Sequence, residues 1–182
     1  MACHSGRFET GINTMILQRF GKTAAVLAIA AGAVLASATA FGAATPTSGQ
    51  LVTSMIGRWA GPGEAVYKDG KHEAFKCVAV YLADKAGEKV KQTIHCTSTG
   101  LELSLESAWA VKDGSISGTW LETKYELKGT LLGSLDPDGY SLYAENEFAN
   151  ATISVRTSTC QQDIVMKFSK QVDLLTAKLK KC

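Results

Sequence analysis

With 182 residues, 46% of them hydrophobic and 20% charged, and a formal net charge of +2, the chain has the make-up of a folded domain. Its charge excess is too small to point to nucleic acid or an anionic membrane as a partner. From Ala44 onward acidic and basic residues balance, so the small surplus comes from Arg7, Arg19 and Lys22 set against Glu9.

The first recognisable element is an address. Arg19 and Lys22 lead into an apolar run from Thr23 to Ala40 that ends in small residues, which is the grammar of a bacterial secretory signal. Residues 15–43 are read as that signal, with translation starting at Met15 and residues 1–14 a mis-assigned upstream extension. Cleavage is expected after Ala40 or within Phe41–Ala44. No later stretch is long and apolar enough to span a bilayer as a helix. The expected product is periplasmic or secreted, with no stable membrane anchor, in a compartment where cysteines oxidise. Residues 44–50 are read as a polar linker and residues 51–182 as a single β-barrel-like domain.

Within that domain the side chains alternate. Leu101, Leu103, Leu105, Trp109 and Val111 are apolar at every second place, with Ser107 the one exception, and Glu102, Ser104, Glu106 and Lys112 fill the opposite face. A period of two is a strand with one buried face. The same alternation recurs at Ala149, Ala151, Ile153 and Val155, and at Ile164, Met166 and Phe168. Asp69-Gly70, Asp113-Gly114 and Asp138-Gly139 punctuate the runs as hairpin turns, and Ala83–Lys89 reads as a looser one. The fold class is therefore all-β: an antiparallel meander of about eight to ten strands forming a closed or nearly closed barrel. The expected strands are 57–67, 72–82, 89–98, 101–112, 115–126, 127–134, 139–148, 149–157, 161–169 and 172–180. The last of these could instead be a short C-terminal helix.

Cys3 leaves with the leader, and Cys77, Cys96, Cys160 and Cys182 remain, an even number that suggests two disulfides. Cys77 and Cys96 lie symmetrically about the Ala83–Lys89 turn, so in a regular hairpin they face each other. Cys160 and Cys182 are then left to tie down the chain end. There is no Cys-x-x-Cys. His95 and Cys96 are strand neighbours that point to opposite faces, so they make no nucleophile–base pair. His72 and His95 fit no spaced metal motif, and neither a metal nor a cofactor is expected. Asp136-Pro137-Asp138-Gly139 lacks the ligands of a calcium loop and reads as a turn. Glu122 and Glu126, near Trp120, are the carboxylate pair to look at first, and they read as solvated strand residues. Nucleophile, phosphate-loop and dinucleotide motifs are absent, and no enzyme activity is expected.

The succession Gly57-Arg-Trp-Ala-Gly-Pro-Gly63, Asp69-Gly70, Phe75-Lys-Cys77 and Tyr81 resembles the opening of a family of small exported bacterial β-proteins. The likeness continues through Gln92-Thr-Ile-His-Cys-Thr-Ser98, Gly114-Ser-Ile-Ser-Gly-Thr-Trp-Leu-Glu122, Gly129, Gly133, Phe148-Ala149 and Gln161. It implies a secreted β fold with a Cys77–Cys96 bridge, and no catalytic residue carries over from it. The Gly-x-Trp at residues 57–59 and the Gly-Thr-Trp at residues 118–120 are also similar to the calycin barrels, the lipocalins and avidins, which implies ligand binding.

Two functions follow as expectations. The first is a non-catalytic binding protein that carries a small apolar or amphipathic ligand in the barrel, with Trp59, Leu103, Leu105, Trp109, Trp120, Phe148 and Ile153 facing inward. The second is a periplasmic protein–protein interaction module or hydrolase inhibitor that meets an envelope protein through loops and a strand edge. Ala60–Gly63 and Lys85–Lys89 are its expected protrusions.

Overall fold

Ten antiparallel strands follow one another in chain order, and the tenth pairs with the first to close a barrel. The computed structural model describes residues 47–100 and 102–182, so the expected extension and signal at residues 1–43 lie outside the described residues. The elements are α1 (Ser48–Met55), β1 (Gly57–Tyr67), β2 (His72–Ala83), β3 (Lys89–Thr97), β4 (Glu102–Lys112), β5 (Ser115–Glu122), β6 (Leu127–Asp136), β7 (Gly139–Glu145), β8 (Asn150–Thr157), β9 (Gln161–Phe168) and β10 (Val172–Lys181). Burial alternates along the strands, most regularly in β3, where Val90, Gln92, Ile94 and Cys96 are buried and the residues between them exposed.

The turns fall into two sets, one at each end of the barrel. One end carries the β2–β3, β4–β5, β6–β7 and β8–β9 turns together with the start of β1 and the finish of β10. At the other end lie the β1–β2, β3–β4, β5–β6, β7–β8 and β9–β10 turns. Asp113 and Gly114 both have positive φ, 51° and 77°, the conformation that a two-residue hairpin turn requires. The Asp138-Gly139 pair behaves differently. Gly139 is already in β7, opposite Asp136, and the turn is made by Pro137 and Asp138.

A helix that the sequence did not lead us to expect begins at Ser48, in the last residues of the expected linker, and runs to Met55, and the C-terminal segment is strand. Thr47 and Gln50 form a capping box: the Thr47 hydroxyl accepts the Gln50 N–H at 3.3 Å, and the Gln50 side chain accepts the Thr47 N–H at 2.9 Å. Leu51, Val52 and Met55 share the buried face of this helix. It rests on the β2–β3 turn, packed so closely that a Cβ on Gly87 would stand 3.1 Å from the Gly49 Cα. Trp59 then locks it to β1 by donating its Nε1–H to the Met55 carbonyl at 2.8 Å, which satisfies an acceptor that the helix end leaves open. Lys181 of β10 donates to the Ser54 carbonyl at 3.0 Å. The first end of the barrel is thereby plugged. The C-terminal segment alternates, with Leu175, Ala177 and Leu179 inward, and this pattern suits the strand that closes the sheet.

Two tryptophans explain the Gly-Thr-Trp sequence. Trp109 of β4 is paired with Gly118 of β5, and Trp120 of β5 with Gly129 of β6. A Cβ on Gly118 would lie 2.6 Å from the Trp109 Cβ, and one on Gly129 2.7 Å from the Trp120 Nε1. Each indole occupies the space its glycine partner leaves empty.

Cys77 and Cys96 are directly paired across β2 and β3, with Cα atoms 4.1 Å apart, and form an inward, buried disulfide. Such a bond fits an oxidising compartment. The expected Cys160–Cys182 bond is not made. Cys182 is an exposed free thiol, its N–H donates to the Arg58 carbonyl at 2.8 Å, and its Sγ lies 3.4 Å from the Arg58 guanidinium. The chain end leans toward β1, on the far side of β10 from Cys160. The expected protrusion at Ala60–Gly63 is likewise absent, because these residues lie within β1 and pair with Val78–Phe75 of β2.

Candidate functional site

Part of the barrel interior is filled and part is not. On β10, β1 and β2, Leu179, Leu175, Trp59, Phe75 and Tyr81 are buried and pack the space between them. Between β3 and β9 there remains a cavity of about 220 Å³. Its walls are Leu103 and Leu105 from β4, Trp120 from β5, Leu131 from β6, Leu142 from β7, Ile153 from β8 and Met166 from β9. Leu127, Ala149, Asn150 and Phe168 line its outer part, so it faces the end of the barrel away from α1.

The floor is polar. Gln92, Ser107 and Tyr140 line the cavity there, backed by Tyr81 and Gln162. The Ser107 hydroxyl donates to Gln92 Oε1 at 3.1 Å, and Gln92 Nε2 donates to the hydroxyls of Tyr81 and Tyr140, each at 3.0 Å. Tyr81 donates to Gln162 Oε1 at 3.1 Å, and Gln162 Nε2 donates to the Thr157 hydroxyl at 3.2 Å. The remaining bond joins the two phenol oxygens at 3.0 Å. Since the Tyr81 proton is already given to Gln162, the Tyr140 proton must serve that bond. Burial pushes the Tyr81 phenol up to about 12 and Tyr140 well above its ordinary value, so both stay neutral at physiological pH.

Glu122 ends β5 at the mouth. It is 5% exposed and is the one charged side chain among the lining residues. Its Oε1 accepts the Ser104 N–H at 3.2 Å and its Oε2 the Tyr125 N–H at 2.7 Å, which shapes the β5–β6 turn. Lys124 pairs with Glu102, at 2.6 Å, and lies near enough to feel the Glu122 carboxylate. Tyr125 and Phe148 stand 64% and 62% exposed on the β5–β6 and β7–β8 turns. On the packed side of the same rim, Glu73 accepts from Ser98, from the Gly100 N–H at 2.7 Å and from the Tyr67 hydroxyl at 2.9 Å. Those bonds, the one from Ser98 first, lower its carboxyl to about 2.

Four of the seven expected inward residues, Leu103, Leu105, Trp120 and Ile153, line the cavity together. Trp59 and Trp109 are inward but belong to packed core, Trp109 lying against Tyr140 with ring centroids 5.6 Å apart. Phe148 is not inward. Asn146 Oδ1 accepts the N–H groups of Phe148 and Ala149, each at 2.9 Å, and this turn interrupts the alternation and turns the phenyl ring out. Glu122 and Glu126 do not converge: Glu126 is exposed in the turn with a φ of 54°. His95 is exposed on β3, and His72 is exposed beside Glu64, at 3.2 Å. Among the described residues no group of His, Cys, Asp and Glu could hold a metal ion.

Sequence reasoning missed the floor. Its signal was present, since Gln92 and Gln162 occupy places in the alternation that point inward, where an apolar residue is the rule.

No protein-family model matches the chain, and no curated protein does either. Among solved structures the barrel is similar to Rv2717c from M. tuberculosis, with a TM-score of 0.60 at 14% identity, covering 76% of this chain and 99% of that one. That likeness shows a shared barrel fold. A DUF3598 protein of unknown function from Nostoc punctiforme aligns with a TM-score of 0.49 at 12% identity, over 72% of this chain and 49% of that one. The S-type phycobiliprotein lyase CPES from Guillardia theta aligns at 0.45 and 12%, over 71% of this chain and 87% of that one.

Proposed function

We propose that this is an exported, non-catalytic binding protein that carries a small apolar or amphipathic ligand inside its barrel. The observation that carries the reading is the cavity of about 220 Å³, with aliphatic and aromatic walls above a hydrogen-bonded floor. A barrel core built only for stability would be filled, because protein interiors pack to crystal density and a void forfeits contacts along its whole lining. A concave apolar site with a few placed polar groups is the ordinary form of a small-molecule site.

Export rests on the Met15–Ala43 signal pattern and on a buried disulfide that suits an oxidising compartment. The test is native mass spectrometry of the protein recovered from the periplasm. The expected spectrum shows the processed chain with a reproducible additional mass of a few hundred daltons or less. A bare chain in every preparation would overturn the carrier reading.

One observation favours a second reading, that of a protein-binding module. Tyr125 and Phe148 project from neighbouring turns at the rim. Among the described residues the closed sheet leaves no edge strand to pair with a partner, so such a module would have to act through these turns.

A further inference from the structure

The hydrogen-bond inventory of the cavity floor is one-sided, and the charge at its mouth is too, which bears on the chemistry of the occupant. Taking the carrier reading as the premise, the floor can be counted atom by atom. Ser107 has given its proton to Gln92, Gln92 both amide protons to the two tyrosines, Tyr140 its proton to Tyr81, and Tyr81 its own to Gln162. What Ser107, Gln92 and Tyr140 still offer the cavity is lone pairs. The Trp120 indole N–H, buried over Gly129 without a partner, is a neutral donor still unspent in the wall.

The mouth repeats the pattern with charge. No Lys, Arg or His lines the cavity among the described residues, and Glu122 does. Each of its oxygens takes one backbone N–H and keeps further acceptor capacity, and Glu122 belongs to none of the ion pairs among the described residues. The nearby Lys124 is engaged with Glu102. Two places inward along β5, the Trp120 ring forms cavity wall, a surface that attracts cations. Asn150, exposed at the rim, also has donors to give, and like the Trp120 N–H these are neutral. A carboxylate-bearing ligand would find no cation here and would meet a buried anion, whereas an ammonium would find the acceptor it needs.

We propose that the ligand is a small amphiphilic amine, its ammonium held by Glu122 beside Trp120 and its apolar body lying between Leu131, Leu142 and Ile153. A cavity of about 150 Å³ accommodates benzene, so this one suits a body of roughly nine heavy atoms.

The test is calorimetric titration at neutral pH with three matched probes: 2-phenylethylamine, 2-phenylethanol and phenylacetate. The amine is expected to bind about tenfold more tightly than the alcohol, the equivalent of one charge-assisted contact, and phenylacetate to bind weakest. Glu122→Gln should bring the amine to the alcohol's affinity, and the wild-type series decides the matter if that variant does not fold. Binding of the alcohol or of phenylacetate as tight as that of the amine would overturn the amine assignment and leave the carrier reading standing. So would failure of all three probes in a protein whose Leu131 and Ile153 methyl resonances respond to xenon. Failure of the probes and of xenon together would remove the carrier reading as well.

Discussion

Strands β10, β1 and β2 and strands β4 to β8 belong to one continuous sheet, yet the first three meet over a filled interior while the others stand around a cavity. Both groups alternate, and both turn mostly apolar residues inward. They differ in how size is distributed. On the filled side large faces small: Trp59 is opposite Ala79 and Phe75 opposite Gly63, and the Phe75 ring fills the space that a Cβ on Gly63 would need. On the hollow side Trp120 faces Gly129 in the same way, but the rest of the wall is largely of middling reach, Leu105, Leu131, Leu142 and Ile153, none of them long enough to cross the barrel. Cavities in barrels thus arise from uniform medium-sized residues as readily as from small ones.

Paired truncations give the sharpest way to break this comparison. Leu179→Ala removes a fully buried side chain from the filled side and should cost about 3 kcal/mol, since the surrounding core cannot collapse onto the gap. Leu105→Ala removes one that already borders open space and should cost about 1 kcal/mol. Urea unfolding at equal m-value measures both. Equal losses would mean that the two sides are packed alike.

The sequence made the first half of this comparison readable and concealed the second. Strand number, order and most boundaries follow from period-two alternation and Gly-containing turns, because one buried face forces that pattern on every strand. The Cys77–Cys96 pair was legible because a hairpin fixes its own register. Cys182 was not, because which neighbour a terminal residue leans toward depends on the three-dimensional course of the chain end. The helix went unread, with only its first residues falling in the expected linker, although Thr47 and Gln50 stand at capping-box spacing before Leu51, Val52 and Met55. Cavity membership was half legible. Alternation shows that a residue points inward, as for Trp59 and Trp120 alike, but not what it meets across the barrel. Phe148 lay where a turn suspends the alternation, so the pattern could say nothing true about it.

The polar floor joins the two regions, with Tyr81 and Gln162 on its filled side and Gln92, Ser107 and Tyr140 on its hollow side. Tyr140→Phe removes one hydroxyl from that junction and leaves a buried Gln92 N–H without its acceptor. A loss of about 1–2 kcal/mol is expected, the cost of an unsatisfied buried donor. Tyr143→Phe, three places along β7 on the outer, more exposed surface, should change stability by less than about 0.5 kcal/mol. Thermal unfolding of the two variants side by side checks the contrast. Similar small effects would show that the network contributes little to holding the two halves in register.

The rim offers the mildest test, through pH. Glu73 ties the β1–β2 side of the mouth to the β3–β4 turn, and its folded-state carboxyl lies near 2 against an ordinary value of 4.5. Because the folded value is the lower one, the unfolded chain binds the extra proton first as pH falls. The stabilisation from Glu73 is therefore complete above about 4.5 and is lost progressively between 4.5 and about 2. Glu73→Gln should be less stable than the parent at neutral pH, with the difference shrinking through that window and gone below it. On the hollow side of the rim the Phe148 ring is exposed and carries no charge, so Phe148→Ala should leave the acid-unfolding profile unchanged. Acid titrations of the parent and both variants, followed by tryptophan fluorescence, measure this. A gap between parent and Glu73→Gln that persists below pH 2 would mean that Glu73 acts through packing rather than through its charge.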